Sequence, residues 1–276
     1  MPRGRSAGPA RMASERAGTR PTTAHLGRVG RVSRRIARHR RGPGILTREF
    51  YERPTLTVAA DLLGKVLVHR TPAGTTAGMI VETEAYIGED DPACHAAPGP
   101  TRRNAPLYGA AGFAYVYLNY GIHYLVNAVT ETEGHPAAVL IRALAPVEGL
   151  AVMRKRRAPA GRHIDDADLC RGPGNLTRAL GITLTDNLVD LVSSRLVIED
   201  RGHAPAAVAW GPRVGITVGV DKPWRCWIPG NPAVSRSNRS NRSNRSDRSN
   251  RSDRSNRSDR SNRSDRADRS NRAKAQ

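Results

Sequence analysis

Phe113-Ala114-Tyr115-Val116-Tyr117-Leu118-Asn119-Tyr120-Gly121-Ile122-His123-Tyr124-Leu125-Val126-Asn127-Ala128-Val129 reads as two alternating runs that meet at a turn. Gly112 to Leu118 and His123 to Thr130 are the strands, and Asn119-Tyr120-Gly121 is the turn. Strands joined this tightly must be antiparallel, because a parallel return needs a long crossover. Upstream, Met79 to Tyr86 alternates as another strand; downstream, Val139 to Leu144 makes a fourth. Thr57, followed by Val58-Ala59-Ala60-Asp61-Leu62-Leu63 and Gly64, predicts a short capped helix, with a strand over Lys65 to Arg70. Pro146 is expected to start a helix that runs through Met153 to Arg154-Lys155-Arg156-Arg157, and Gly172-Pro173-Gly174 precedes a short helix ending at Gly181. Strands outnumber helices, and several are joined by short turns. The expected fold is therefore a single α+β domain with a curved, mostly antiparallel sheet and peripheral helices, not a doubly wound parallel sheet.

The charge lies outside that domain. Of the formal +20 on 276 residues, residues 1–44 supply +11, from 12 Arg and one Glu. Residues 236–276 supply +9, from 13 Arg, one Lys and five Asp. The 191 residues between, 45–235, balance 19 basic against 19 acidic side chains. The first arm has no apolar periodicity, and from Arg236 to Arg272 an arginine falls at every third position between Ser-Asn or Ser-Asp pairs, with one Ala. Neither pattern builds a buried face, so both ends are expected to be disordered basic arms around a neutral globule. Such arms either solvate themselves or bind polyanions through counterion release. The three cysteines, Cys94, Cys170 and Cys226, are too scattered for a disulfide framework or a zinc ribbon, and a cytoplasmic location is expected. No apolar run reaches the length of a signal peptide core or a membrane span.

Phosphate-binding Gly-rich loops, a dinucleotide fingerprint, His-Glu-x-x-His and Cys-x-x-Cys are all missing, so neither a cofactor nor a metal is expected. The Cys94-His95 pair has no other Cys or His nearby with which to complete a metal site. The informative segment is Val81-Glu82-Thr83-Glu84-Ala85-Tyr86. A period of two puts Glu82, Glu84 and Tyr86 on one face beside Ile80. Two readings compete: a solvated strand face, or a pair of catalytic carboxylates about 7 Å apart as in an inverting sugar hydrolase. The hairpin adds weight to a site. Its segment Phe113 to Gly121 holds three of the seven tyrosines, with Tyr115 and Tyr117 on one face and Tyr120 at the tip, where an aromatic can act as a wedge between base pairs. Asn127 and Arg142 interrupt apolar runs. A buried Asn usually satisfies a backbone group, whereas a buried Arg needs a carboxylate, so Arg142 is expected to face Glu84. Arg154 to Arg157 is either an exposed helix end or a phosphate-contacting edge.

Taken in order, Tyr51-Glu52-Arg53-Pro54, Val81 to Tyr86, Asp91 to His95, Tyr115-Val116-Tyr117 to Gly121, Ile141-Arg142-Ala143-Leu144 and Gly172-Pro173-Gly174 resemble the alkyladenine, or 3-methyladenine, DNA glycosylase family over about residues 45–235. The resemblance implies a barrel-like domain similar to the C-terminal domain of formyltransferases. It also implies a monofunctional base excision repair enzyme, acting as a monomer without cofactor or metal on double-stranded DNA that contains alkylated or deaminated purines. By that resemblance Glu84 is the general base and Arg142 helps hold the attacking water. Tyr86, His95 and Tyr117 wall the flipped base, Ala93 and His95 read its edge, Asn127 crowds the guanine amine, and Tyr120 fills the gap left in the duplex. The family commonly has a lysine where this chain has Asn175 and a phenylalanine where it has Cys226. Two rival functions remain at this level: a non-catalytic nucleic-acid-binding protein driven by the arms, and a carbohydrate hydrolase using Glu82 with Glu84.

Overall fold

The computed structural model describes residues 44–158 and 162–236; the arms expected at either end, Gly44 and Arg236 apart, lie outside the described residues. In chain order the strands are β1 (Gly44–Ile45), β2 (Val66–Thr71), β3 (Gly74–Ile87), β4 (Ala114–Asn119), β5 (His123–Val129), β6 (Ala137–Glu148), β7 (Leu196–Asp200), β8 (Ala209–Gly211) and β9 (Arg225–Trp227). The helices are α1 (Arg48–Tyr51), α2 (Thr55–Asp61), α3 (Leu150–Arg157), α4 (Asp166–Leu169) and α5 (Pro173–Leu180). They form an α+β arrangement around one open sheet in the order β1-β7-β2-β3-β6-β5-β4, and β9 attaches to β3 and carries β8. Every strand pairing among the described residues is antiparallel.

The alternation of the central strands separates two apolar layers. Ala85 of β3, Val139 and Ile141 of β6, Val126 and Ala128 of β5, and Ala114 and Val116 of β4 join the main core with Val58 and Ala59 of α2 and Leu176, Ala179 and Leu180 of α5. The fully buried leucines and isoleucines each contribute about 2 kcal/mol by transfer from water. The opposite face carries Tyr115, Val129 and Ala138, against which Tyr86, Tyr117 and the loop residues Cys94, Ala96 and Leu107 pack. One sheet therefore has a structural side and a second side lined with tyrosines.

Two expectations need correcting. Ile80 does not share the face of Glu82: the β3–β6 register shifts between Ile80 and Glu82 and again between Glu82 and Thr83, and Ile80 lies in the main core. An extra residue at such a bulge reverses the alternation and sharpens the local twist. Pro146 does not open a helix. It lies within β6 opposite Gly78, beside another register shift, where a missing N–H is tolerated. The strand ends only at Gly149, whose φ of 75° breaks it and caps α3. A Cβ at Gly149 would lie 2.3 Å from the Thr75 carbonyl oxygen, so the residue type is fixed there.

Candidate active site

Glu82, Glu84 and Arg142 are all buried on the second face of the sheet at the double bulge. The register leaves Arg142 without a Cα partner: Glu82 pairs with Ala143 and Thr83 with Ile141. Its guanidinium meets both carboxylates, with Nε donating to Glu82 Oε1 at 3.0 Å and Nη1 to Glu84 Oε2 at 3.2 Å. The expected facing of Glu84 and Arg142 is thus present, with Glu82 as a second partner.

The two glutamates differ in what surrounds them. Glu82 accepts from four donors: Arg142 Nε, Arg225 Nε at 2.7 Å, and the hydroxyl and backbone N–H of Ser235, both at 2.7 Å. Burial alone would raise its pKa, but Arg142, Arg225 and the two Ser235 bonds outweigh it and hold the carboxyl below its ordinary value. A group kept ionised this firmly is unsuited to giving up a proton, which weighs against a hydrolase that uses the two glutamates as an acid–base pair. Glu84 accepts from three: the Val214 N–H at 2.7 Å on Oε1, and the Tyr86 hydroxyl at 2.9 Å and Arg142 on Oε2. A carboxylate offers about four acceptor directions, so Glu84 keeps one for a further donor. Arg142 and Val214, its partners, also line a cleft of about 340 Å³ together with Arg171, Gly172, Ser235 and Arg236.

Beside Glu84 lies an aromatic cluster built from three stretches of chain. The Cα register runs Tyr115, Asn127, Leu140, Glu84 across four strands, which places these residues in one row on the second face. The His95 ring lies 4.5 Å from that of Tyr117, edge to face, and its Nδ1 is 2.9 Å from the Tyr115 hydroxyl. Tyr115 and Tyr117 are 5.3 Å apart, centroid to centroid. Burial pushes the Tyr115 hydroxyl up to about 12 and raises those of Tyr86 and Tyr117 further, so all three remain neutral donors. Burial, and then the charge of Arg103, lowers the pKa of His95, which favours its neutral ring.

His95 and Ala93 stand on the loop between β3 and β4, which is fixed by two residues that sequence reasoning missed in these roles. Asp91 forms a buried bidentate pair with Arg213, at 2.6 and 2.7 Å, and accepts the Ala93 N–H at 3.2 Å. Asn104 donates to the carbonyls of His95 and Gly99, at 2.7 and 2.9 Å. Arg213, Val214, Arg225 and Ser235 were not identified either. They arrive from the C-terminal third of the chain without apolar patterning around them, and only the β9 pairing beside Glu82 and Glu84 brings that segment to the site.

The remaining candidates are dispersed. The Asn127 amide donates to the Tyr115 carbonyl at 2.9 Å, so the residue satisfies a backbone group and also lies in the row that contains Glu84. Tyr120 stands apart at the hairpin tip, 85% exposed beside Ile122 at 73%, and holds a φ of 49° that is uncommon for a bulky residue. Arg156 and Arg157 direct their guanidinium groups to the Ala179 and Leu169 carbonyls, so half of that basic cluster pins helices together. Asn175 donates to the Arg171 carbonyl, and Cys226 packs in the main core with its Sγ 3.0 Å from Thr83 Oγ1. Among the described residues no group of three His, Cys, Asp or Glu side chains is placed to hold a metal ion.

The family described as Methylpurine-DNA glycosylase matches residues 49–232. A protein of Methanocella arvoryzae named "Putative 3-methyladenine DNA glycosylase" is 48% identical over 196 residues, covering 70% of this chain and 96% of its own. Proteins with the same name from Burkholderia lata and Rhodopseudomonas palustris are 46% and 50% identical, covering 71% and 67% of this chain and 93% and 84% of theirs.

Proposed function

Since the chain belongs to the methylpurine-DNA glycosylase family and is a hydrolase of base excision repair, we propose that it flips alkylated or deaminated purines out of duplex DNA and hydrolyses their bond to deoxyribose with a water activated by Glu84. The observation that carries this reading is the inequality of the two glutamates: Glu82 has four donors, whereas Glu84, against Tyr86, keeps one acceptor direction, and its partners Arg142 and Val214 line the cleft.

In the proposed step the water oxygen bonds to C1′ as the C1′–N9 bond breaks, the bonding pair leaves with the purine, and Glu84 takes the proton of the water. Arg142 pairs with Glu84 and holds its orientation. An N-alkylated purine carries a positive charge and leaves as a neutral base. A neutral lesion such as hypoxanthine leaves as an anion that must acquire a proton. The flipped base stacks against Tyr86 on one side and the His95–Tyr117 pair on the other, within reach of Ala93 and the Asn127 row. Flipping costs a few kcal/mol, least for a damaged or mispaired base, and Tyr120 at the exposed tip occupies the vacated stack. The reaction needs no amine nucleophile, so the product is an abasic site in an unbroken strand, and the enzyme works as a monomer.

Incubating the full chain with duplexes that contain 3-methyladenine, 1,N6-ethenoadenine or hypoxanthine tests this reading. Release of free base with an intact strand is expected. A correctly folded protein that releases none of the three, or that cuts the strand, refutes it.

A further inference from the structure

The buried charges of the site balance. Glu82, Glu84 and Asp91 stand against Arg142, Arg213 and Arg225, each in an ion pair. Two guanidinium groups lie near the tyrosine rings of the base pocket: Arg213 is 4.7 Å from the centroid of Tyr86, and Arg103 is 5.7 Å from that of Tyr117. They are not equivalent. Arg213 is neutralised by its bidentate pairing with Asp91, whereas Arg103 is exposed and makes no ion pair among the described residues. Arg103 is therefore the surplus positive charge at the pocket.

A tyrosine face attracts a cation through its ring quadrupole, and a face already near one guanidinium has less to offer a second cation. Whether the base stacks on the same side of Tyr117 as Arg103 or on the other, two like charges lie within several Å of each other. The field of Arg103 reaches the neighbouring aromatic wall, since it contributes to holding His95 in its neutral form.

We infer that Arg103 is a specificity-determining residue which biases the pocket toward neutral damaged purines and against cationic N-alkylated ones. The inference rests on the proposed glycosylase reaction and adds to it a choice between its two substrate classes. Arg103 touches no reacting atom; it acts on the charge of the base that Tyr117 receives.

Excision rates measured in one mixture of two duplexes, one carrying hypoxanthine and one 7-methylguanine, test it in the full chain. For Arg103→Gln the ratio of kcat/KM for 7-methylguanine to that for hypoxanthine should rise on the order of tenfold over the wild type, and for Arg103→Glu it should rise further. Melting temperatures close to the wild type are expected because the side chain is exposed. An equal loss on both lesions would make Arg103 a phosphate contact and overturn the inference, as would an unchanged ratio. Wild-type protein that releases neither base overturns the proposed reaction and this inference together, whereas wild-type release with a flat ratio overturns the inference alone.

Discussion

Ser235 donates both its backbone N–H and its hydroxyl to Glu82, each at 2.7 Å, and so joins the last described turn of the chain to the centre of the site. The same hydroxyl oxygen lies 3.4 Å from Arg142 Nη2, so one side chain touches both members of the buried pair. Ser235→Ala removes a hydrogen bond to a charged group and should cost about 1.5–3 kcal/mol in urea unfolding. A change below 0.5 kcal/mol, on the order of the scatter for surface substitutions, would show that the hydroxyl does not support Glu82.

Glu82 links stability to pH. Its folded pKa lies below its unfolded value, so the network contributes fully above the unfolded pKa of about 4.3 and loses that contribution as the pH falls through the folded value. The wild type should therefore lose stability in acid below about pH 4, and Glu82→Gln should be less stable at neutral pH with a shallower acid slope. Denaturation curves at several pH values read both effects, and parallel slopes for the two proteins would argue against the assignment.

Tyr120 combines strain with exposure. A left-handed conformation costs an L-residue about 1–2 kcal/mol, so Tyr120→Gly should leave the protein at least as stable as the wild type. Excision from duplex DNA should fall while excision from a single strand, which needs no gap filled, should change little. Equal losses on both substrates would remove the wedge role.

Asp91 fixes the loop that carries His95. Asp91→Ala leaves the Arg213 guanidinium buried without its carboxylate, a loss worth about 3–5 kcal/mol, and also frees the Ala93 N–H. Hydrogen exchange over residues 88–104 should accelerate in the variant before other regions do. Uniform protection would mean that the ion pair does not hold the loop.

The central strands and hairpin were legible because alternation on a sheet with two buried layers is a strong local signal, and the hairpin turn set their direction. Glu84 and Arg142 could be paired from sequence because a buried guanidinium in Val139 to Leu144 required a carboxylate, and Glu84 stands within another alternating, largely apolar strand. Ile80 was misplaced because a bulge leaves no mark in the alternation of apolar residues, and Pro146 because the same residue that starts helices is tolerated at strand irregularities. Arg213, Val214, Arg225 and Ser235 could not be read, since their roles depend on long-range pairing across β3 and β9, not on any local pattern. The different settings of Glu82 and Glu84 were hidden for the same reason: one strand face carries both, and only donors from distant segments separate them.

The most direct measurement is single-turnover release of base by Glu84→Gln from lesion-containing duplex. The glutamine oxygen can still accept from Arg142 and Tyr86 in place of Oε2, while its NH2, in place of Oε1, forfeits the Val214 bond at a cost of about 1–3 kcal/mol. The variant should stay folded and bind the lesion, while base release should fall by about 10²- to 10⁴-fold. Release at the wild-type rate by that folded variant would contradict the account.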